Sequence, residues 1–241
     1  MRILLGSGGF RTAERIATLQ TALRAHFGGA GRLLFVPYAL ADHDGYVRFL
    51  TEKGLAAGYE LVGIHTQPDP VRAVDEAEGI YVGGGNTFRL IDALHRLGLI
   101  DAIRARVRSG VPYFGVSAGA NVACPTMMTT NDMPIVQPPS FEALGLVPFQ
   151  VNAHYFTGNT HVRHADGSYE EHFGETRDER IEQLHEHIDS PVVGLWEGGL
   201  IRCENGAFHL EAAGARIFRR GLDPVDVDPP AELGPALGPL T

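Results

Sequence analysis

The chain has 241 residues, of which 44% are hydrophobic and 20% are charged, and its formal net charge is -9. Such values are typical of a globular protein whose core needs neither disulfides nor metal ions. The negative charge argues against nucleic acid and anionic membranes as partners, because both bind basic surfaces. Cys124 and Cys203 show no disulfide or metal-ligand spacing, and the N-terminal apolar run is too short for a signal peptide, so we predict a cytoplasmic protein.

Short apolar runs alternate with amphipathic stretches through the first half of the chain. The apolar runs predict strands over 2–5, 33–36, 61–64, 79–82 and 111–114. The amphipathic stretches predict helices over 12–26, 46–57, 86–97 and 99–108. Strands that are apolar throughout, separated by helices, are typical of a parallel sheet covered on both faces, so the fold class is α/β.

The second half of the chain is less regular. Residues 132–147 are predicted to form a loop, and residues 176–187 a helix. Short strands are predicted over 150–153, 192–195, 200–203, 207–210 and 215–218, with hairpins among the last of them. We predict a single catalytic domain over 1–220, followed by a tail over 221–241 that is rich in Pro, Asp and Gly and is expected to fray.

A serine stands between two glycines where the strand 111–114 gives way to small residues. The order Gly115-Val116-Ser117-Ala118-Gly119 is the nucleophile-elbow pattern, provided that a helix follows. Glycines flank such a serine because a Cβ at either position would collide with the neighbouring strand or helix. The alternative is a small-residue turn in which the serine is incidental.

A nucleophilic serine needs a base, and the chain contains eleven histidines. His154 follows a predicted strand, and site residues collect at strand ends. Five other histidines are predicted to lie on the solvated surface, and not in a metal site: His161, His164, His172, His185 and His187.

A second glycine turn, Gly83-Gly84-Gly85, lies between a predicted strand and a predicted helix. It could cradle a phosphate, although it lacks the spacing of a Walker A loop or a dinucleotide fingerprint. It could instead contribute to an oxyanion hole beside Ser117, or be a tight turn capped by Asn86. The sequence leaves these three alternatives open.

Six motifs occur in one order along the chain: GGGNTF (83–88), SAGANVAC (117–124), TTNDMPI (129–135), LGLVPFQVNAHY (144–155), GETRDERI (174–181) and GLWEGG (194–199). In these motifs the chain resembles peptidase E, the aspartyl dipeptidase family of serine peptidases. The resemblance implies a flavodoxin-like three-layer sandwich with a mostly parallel central sheet, related to class I glutamine amidotransferases. It also implies hydrolysis of dipeptides with an N-terminal aspartate through an aspartyl-enzyme, with no cofactor and no metal. The sequence does not decide whether the chain forms a homo-oligomer.

The same resemblance implies roles for individual residues. Ser117 falls on the family's nucleophile and His154 on its general base. Glu197 matches the glutamate that orients the histidine, and Asp132 matches an aspartate that is also assigned to the charge relay. We rank Glu197 first as the orienting carboxylate. The alternatives are a turn carboxylate for Glu197 and a loop cap for Asp132.

Two further roles concern the substrate. Arg177 falls on the family's binder of the substrate aspartate side chain, and a guanidinium fork suits a carboxylate. Gly84 and Ala118 fall near the oxyanion-hole amides. The segment 156–173 is longer than is usual in the family, and it lies between His154 and Arg177. A longer lid over the site would change substrate size and the strictness of aspartate selection.

Three other functions compete with a peptidase. An α/β-hydrolase esterase orders its triad as serine, acid and histidine, which would make His209 the base. A cyanophycinase-like enzyme would cleave an aspartyl-arginine polymer. A binding protein could keep the fold without the chemistry.

Overall fold

The computed structural model describes residues 1–240. Its α-helices are α1 (Ala13–Phe27), α2 (His43–Glu52), α3 (Pro70–Asp75), α4 (Thr87–Arg96), α5 (Leu99–Arg108), α6 (Ala118–Asn121), α7 (Arg177–His185) and α8 (Gly234–Leu237). Its strands are β1 (Arg2–Gly6), β2 (Arg32–Val36), β3 (Glu60–Gly63), β4 (Ile80–Val82), β5 (Tyr113–Val116), β6 (Gln150–Tyr155), β7 (His161–Arg163), β8 (Tyr169–Glu171), β9 (Val192–Trp196), β10 (Leu200–Glu204), β11 (Ala207–Ala212), β12 (Ala215–Phe218), β13 (Val225–Val227) and β14 (Ala231–Glu232).

The main sheet has eight strands in the order β14-β11-β10-β1-β5-β4-β2-β3. The neighbours from β1 to β3 all pair in parallel, whereas β10, β11 and β14 pair antiparallel. The carboxyl ends of β1, β4 and β5 therefore meet at one edge of the sheet. The predicted α/β fold with a largely parallel sheet is confirmed.

Both faces of this sheet are covered. Along β1, Leu4 packs into a cluster with side chains of α1 and α2, whereas Ile3 and Leu5 pack into a larger cluster with α3, α4 and α5. Successive side chains of a strand point to opposite faces, so a strand buried on both faces is apolar at every position. This burial is the physical reason for the continuous apolar runs.

A second sheet, in the order β13-β12-β9-β6, carries the end of β6 to the site. The predicted strands are present, but the sequence did not indicate a separate sheet. The free edge of β6 is covered by polar side chains: Asn121 and Thr129 donate to the carbonyl of Val151 at 2.8 and 2.7 Å, and Asn131 donates to that of Ala153 at 3.1 Å. These bonds satisfy carbonyls that a neighbouring strand would otherwise pair.

The C-terminal segment is ordered, so the expectation that it frays is wrong over residues 221–240. Strand β13 pairs with β12, and β14 pairs with β11. Leu233 and Leu237 are fully buried against the larger cluster. The composition is typical of a tail, but these two leucines supply the apolar contacts that hold it.

The segment 156–173 contains the exposed hairpin of β7 and β8. Across residues 1–240, no helix combines the length and the apolar character needed to cross a bilayer.

Candidate active site

Ser117 occupies a strained turn between β5 and α6. Its φ of 55° and ψ of -113° lie where residues with a Cβ are rarely found. A Cβ on Gly115 would lie 2.2 Å from the carbonyl oxygen of Gly119, and one on Gly119 would lie 2.3 Å from that of Val82. The steric need for both glycines is therefore confirmed. The helix that follows is a single turn, and Ala118 is its first residue, where a backbone N–H has no acceptor within the helix.

Three of the predicted site residues form one chain of contacts. The Oγ of Ser117 lies 2.8 Å from Nε2 of His154, and Nδ1 of His154 lies 2.7 Å from Oε1 of Glu197. The side chains of His154 and Glu197 remain 42% and 45% exposed, so a small substrate can reach them. A hydroxyl, an imidazole and a carboxylate in this order have the geometry of an activated nucleophile.

His154 is held in an unusual backbone conformation. Its φ is 55°, at a point where the pairing of β6 with β9 shifts register. The buried hydroxyl of Ser7 accepts a hydrogen bond from the N–H of His154 at 2.8 Å and donates one to the carbonyl of Leu195 at 2.8 Å. Sequence analysis missed Ser7, although its place in a glycine turn directly after β1 was a signal.

Gly8 and Gly9 follow Ser7 and enclose the same pair of side chains. A Cβ on Gly8 would lie 2.5 Å from Cε1 of His154, and one on Gly9 would lie 1.7 Å from Oε2 of Glu197. Both glycines also have a positive φ, of 115° and 71°. This turn therefore leaves room for the imidazole and the carboxylate, a role that sequence analysis did not assign.

The turn at Gly83 to Gly85 lies directly against the serine. A Cβ on Gly84 would approach the Cβ of Ser117 to 2.9 Å. The N–H of Gly84, however, donates to the hydroxyl of Tyr46 at 2.7 Å. Burial raises the pKa of Tyr46 to about 12, so the hydroxyl stays neutral. This geometry gives Gly84 a steric role and does not support it as an oxyanion donor. Asn86 caps α4 by accepting from the N–H of Arg89 at 3.0 Å.

The carboxylate of Asp132 binds Thr87 and Thr130 and not His154. Its Oδ2 accepts hydrogen bonds from the N–H and the hydroxyl of Thr87 at 2.7 and 2.6 Å, and from the hydroxyl of Thr130 at 3.0 Å. Thr87 is the first residue of α4, so the carboxylate satisfies an amide at the positive end of that helix. The geometry connects Glu197, and not Asp132, with His154.

Arg177 is a half-buried cation at the first position of α7. Its guanidinium lies 5.2 Å from the ring centroid of Phe156 and lines a cavity of about 200 Å³ beside the β7–β8 hairpin. In residues 1–240 no carboxylate pairs with Arg177, and its buried Nε has no hydrogen-bond partner. Burial lowers the pKa of Arg177, Arg180 lowers it further, and Asp132 opposes the shift. A desolvated, unpaired cation is suited to an anionic ligand.

The other histidines lie elsewhere. The prediction of a solvated surface is wrong for His185, which is buried on α7 with its Nε2 3.1 Å from the carbonyl of Ser190. His161, His164 and His187 are exposed, and His172 is half-buried. His209 is exposed on β11, whereas His154 contacts Ser117, so the geometry does not favour the esterase order. Within the described chain no three His, Cys, Asp or Glu side chains are grouped as metal ligands.

Comparison with known proteins places these residues in a family. The sequence profile of peptidase family S51 matches residues 2–211. The chain belongs to peptidase family S51. It is 48% identical over 210 residues to a protein named peptidase E from Streptomyces coelicolor, covering 86% of this chain and 82% of that one. It is 44% identical over 203 residues to a probable alpha-aspartyl dipeptidase from Drosophila melanogaster, covering 83% and 81%. The predicted resemblance to peptidase E and the prediction of a serine-type peptidase are confirmed.

Solved structures support the fold of this S51 chain. A peptidase from an acI-B1 Actinobacterium matches with a TM-score of 0.66 at 18% identity, over 96% of this chain and 95% of that one. A putative peptidase E from Listeria monocytogenes matches with a TM-score of 0.57 at 20% identity, over 94% and 98%. At such identities the likeness concerns the fold alone.

Proposed function

We propose that this S51 chain is a serine dipeptidase that releases the N-terminal aspartate of Asp-X dipeptides. The observation that carries the proposal is the contact chain from Ser117 through His154 to Glu197. The name of the Drosophila relative, a probable alpha-aspartyl dipeptidase, supports the substrate class. The unpaired Arg177 supplies a partner for the substrate carboxylate.

In the proposed reaction, the Oγ of Ser117 attacks the peptide carbonyl while Nε2 of His154 takes its proton. Glu197 holds the proton on Nδ1 and stabilises the imidazolium. The N–H of Ala118 donates to the oxyanion of the tetrahedral intermediate, and the Gly84 N–H could join it only by leaving Tyr46. His154 then protonates the leaving amine and activates the water that hydrolyses the aspartyl ester.

The finer fold assignment is also a proposal, namely a flavodoxin-like arrangement related to class I glutamine amidotransferases. The parallel strands lie in the order β3-β2-β4-β5-β1 across the sheet. This order supports the proposal, because it becomes the flavodoxin order 2-1-3-4-5 if β1, the first strand of the chain, is counted as the fifth. A single catalytic domain over 1–220 and a cytoplasmic location remain predictions.

The test is the release of free aspartate from Asp-Leu, with Glu-Leu, Asn-Leu and N-acetylated Asp-Leu as controls. We expect cleavage of Asp-Leu only. Ser117→Ala should remove nearly all turnover while the protein stays folded, and Ser109→Ala, an exposed serine, should not. Arg177→Met should lose the preference for aspartate, with Arg108→Met as the matched surface control. An active and folded Ser117→Ala enzyme would refute the mechanism, and cleavage of an aspartyl-arginine polymer alone would redirect the substrate to the cyanophycinase alternative.

A further inference from the structure

A chain of polar contacts passes through Asp178, the residue directly after Arg177. The hydroxyl of Tyr155 donates to Oδ1 of Asp178 at 2.5 Å, and Nη1 of Arg216 donates to Oδ2 at 3.1 Å. Nε and Nη2 of Arg216 also form a fork to the two oxygens of Asp226, at 2.6 and 2.7 Å. We call the side chains of Tyr155, Asp178, Arg216 and Asp226 the α7 tether.

The tether holds the turn that carries Arg177. Thr176 and Glu179 satisfy each other in a capping box, so their polar groups do not bind the body of the protein. Over residues 1–240, every hydrogen bond or ion pair that joins the first turn of α7 to either large sheet ends on Asp178. The next anchor along the helix is the buried side chain of Ile181. The position of Arg177 therefore depends on Asp178, the residue that follows it.

The hydroxyl of Tyr155 is a rigid point of attachment. The ring is 1% exposed, and its centroid lies 5.8 Å from that of Phe218 and 6.1 Å from that of Trp196. The ring packs against β9 at Gly194, where a Cβ would lie only 2.7 Å from the ring, so only a glycine leaves room for it. Tyr155 also directly follows His154, so the tether joins the strand of the candidate base to the helix of the candidate substrate-binding arginine.

The ion pairs of the tether do not include Arg177. Arg216 directs one nitrogen to Asp178 and two to Asp226, and such charge-assisted pairs are the strong hydrogen bonds of proteins. The fork lowers the pKa of Asp226, so that carboxylate stays ionised. Asp178 directly follows Arg177 on α7, and consecutive side chains of a helix do not face each other, so Asp178 can bind Tyr155 and Arg216 without pairing with Arg177.

We propose that Asp178 is a positioning residue for Arg177, and that β12 and β13 act on substrate affinity through it. The inference rests on the proposed function, because it assigns Arg177 to the aspartate side chain of the substrate. Arg216 and Asp226 lie beyond residue 211, where the match to the family profile ends. Part of the substrate preference is therefore set by residues outside the matched region.

The experiment compares Asp178→Asn and Asp226→Asn with Asp228→Asn, an exposed aspartate of the same segment as the matched control. Each variant is assayed for KM and kcat on Asp-Leu and for hydrolysis of p-nitrophenyl acetate, which needs Ser117 but no aspartate pocket. Fluorescence of Trp196, the single tryptophan, reports the fold, because this ring neighbours Tyr155. The side chain of Asp226 is 55% exposed, so Asp226→Asn carries the test if Asp178→Asn does not fold.

We expect Asp178→Asn to raise KM for Asp-Leu about tenfold, the effect of one lost hydrogen bond to a charged group, with a smaller rise for Asp226→Asn. Ester hydrolysis should stay at the wild-type rate in both, and Asp228→Asn should behave as wild type throughout. In an Arg177→Met background the Asp178 change should have no further effect on KM, because the positioned group is absent.

Several outcomes overturn the inference. An unchanged KM in Asp178→Asn, in an enzyme whose Arg177→Met variant has a raised KM, shows that the tether does not position the arginine. A parallel fall of dipeptide and ester hydrolysis shows a general structural role instead. A wild-type enzyme that releases no aspartate refutes the proposed function, and the inference with it, so the two failures are distinguishable.

Discussion

Replacing Gly9 by alanine tests whether the Glu197 carboxylate orients the histidine. The new Cβ would lie 1.7 Å from Oε2 and 3.1 Å from Cβ of Glu197, so the carboxylate has to move by more than about 1 Å. Gly9 has a φ of 71°, which adds backbone strain. Gly28 is the matched control, because its φ is 59° and nothing lies within 4 Å of an added Cβ.

Each substitution puts a Cβ on a residue with positive φ and should cost about 1–3 kcal/mol, because a flexible carboxylate can swing aside without unfolding the chain. For a chain of this length that corresponds to a fall in Tm of about 2–12 °C. Their activities should differ widely. A 1 Å misplacement costs about 10²-fold, and loss of the orienting acid about 10⁴-fold, so kcat/KM of Gly9→Ala should fall by about 10²–10⁴. This range equals about 3–5 kcal/mol of transition-state stabilisation.

The assay is aspartate release from Asp-Leu beside thermal unfolding followed by Trp196 fluorescence. Glu197→Gln should show a loss of similar size to that of Gly9→Ala, because each takes the carboxylate charge away from Nδ1 of His154. If Gly9→Ala and Gly28→Ala lose equal stability and keep equal activity, the reasoning is refuted, since the displaced carboxylate was then not needed.

Three further expectations concern groups away from the serine. Ser7→Ala leaves the His154 N–H and one carbonyl unpaired in a buried site, so urea denaturation should show a loss of about 2–4 kcal/mol, together with a reduced kcat; unchanged values of both would contradict the role of Ser7. Asp132→Ala should lower stability by about 1–2 kcal/mol through the lost cap of α4 yet keep kcat; a loss of kcat as large as that of Glu197→Gln would place Asp132 in the relay. Burial lowers the pKa of His26 to about 3 in the folded chain, so as the pH falls the unfolded chain takes up a proton on His26 at a higher pH than the folded chain does. The free energy of unfolding should therefore fall by about 2 kcal/mol between pH 7.5 and 5. His26→Gln should have a flatter profile over that window, and an equal slope in both proteins would show that His26 is not the titrating group.

Most elements of the first half follow from local patterns, but the sequence analysis missed α3 and placed α2 over 46–57 instead of His43–Glu52. Apolar runs placed β1, β2 and β4 within a residue or two, and amphipathic spacing placed α1, α4 and α5. The glycines around Ser117 were also predictable, because a tight strand-to-helix turn has the same steric needs in any fold. Where the periodicity faded, after residue 124, the sequence still indicated strands but not the sheet to which they belong.

The C-terminal segment shows the limit of composition. Pro, Asp and Gly are typical of disordered tails, yet Asp226 binds Arg216 and the short helix α8 buries Leu237. Neither contact has a local signature, because a few well-placed side chains decide whether such a segment packs. Asp132 is a similar case. The resemblance to the family implied that Asp132 belongs to the charge relay. Only the contact of Asp132 with Thr87 shows that this carboxylate lies at the start of α4.

The sequence by itself determined the fold class, the elbow at Ser117 and the membership of a serine peptidase family. Each of these follows from the periodicity of apolar residues or from short motifs whose residues are close together in the chain. The tertiary structure decided which carboxylate meets His154, which hydroxyl holds its backbone and which amides are already bonded. Ser7 and His154 stand 147 residues apart, and His154 and Glu197 stand 43 apart. The first contact forms only when the two sheets pack together, and the second only when β6 pairs with β9. No local pattern of residues encodes contacts over such separations.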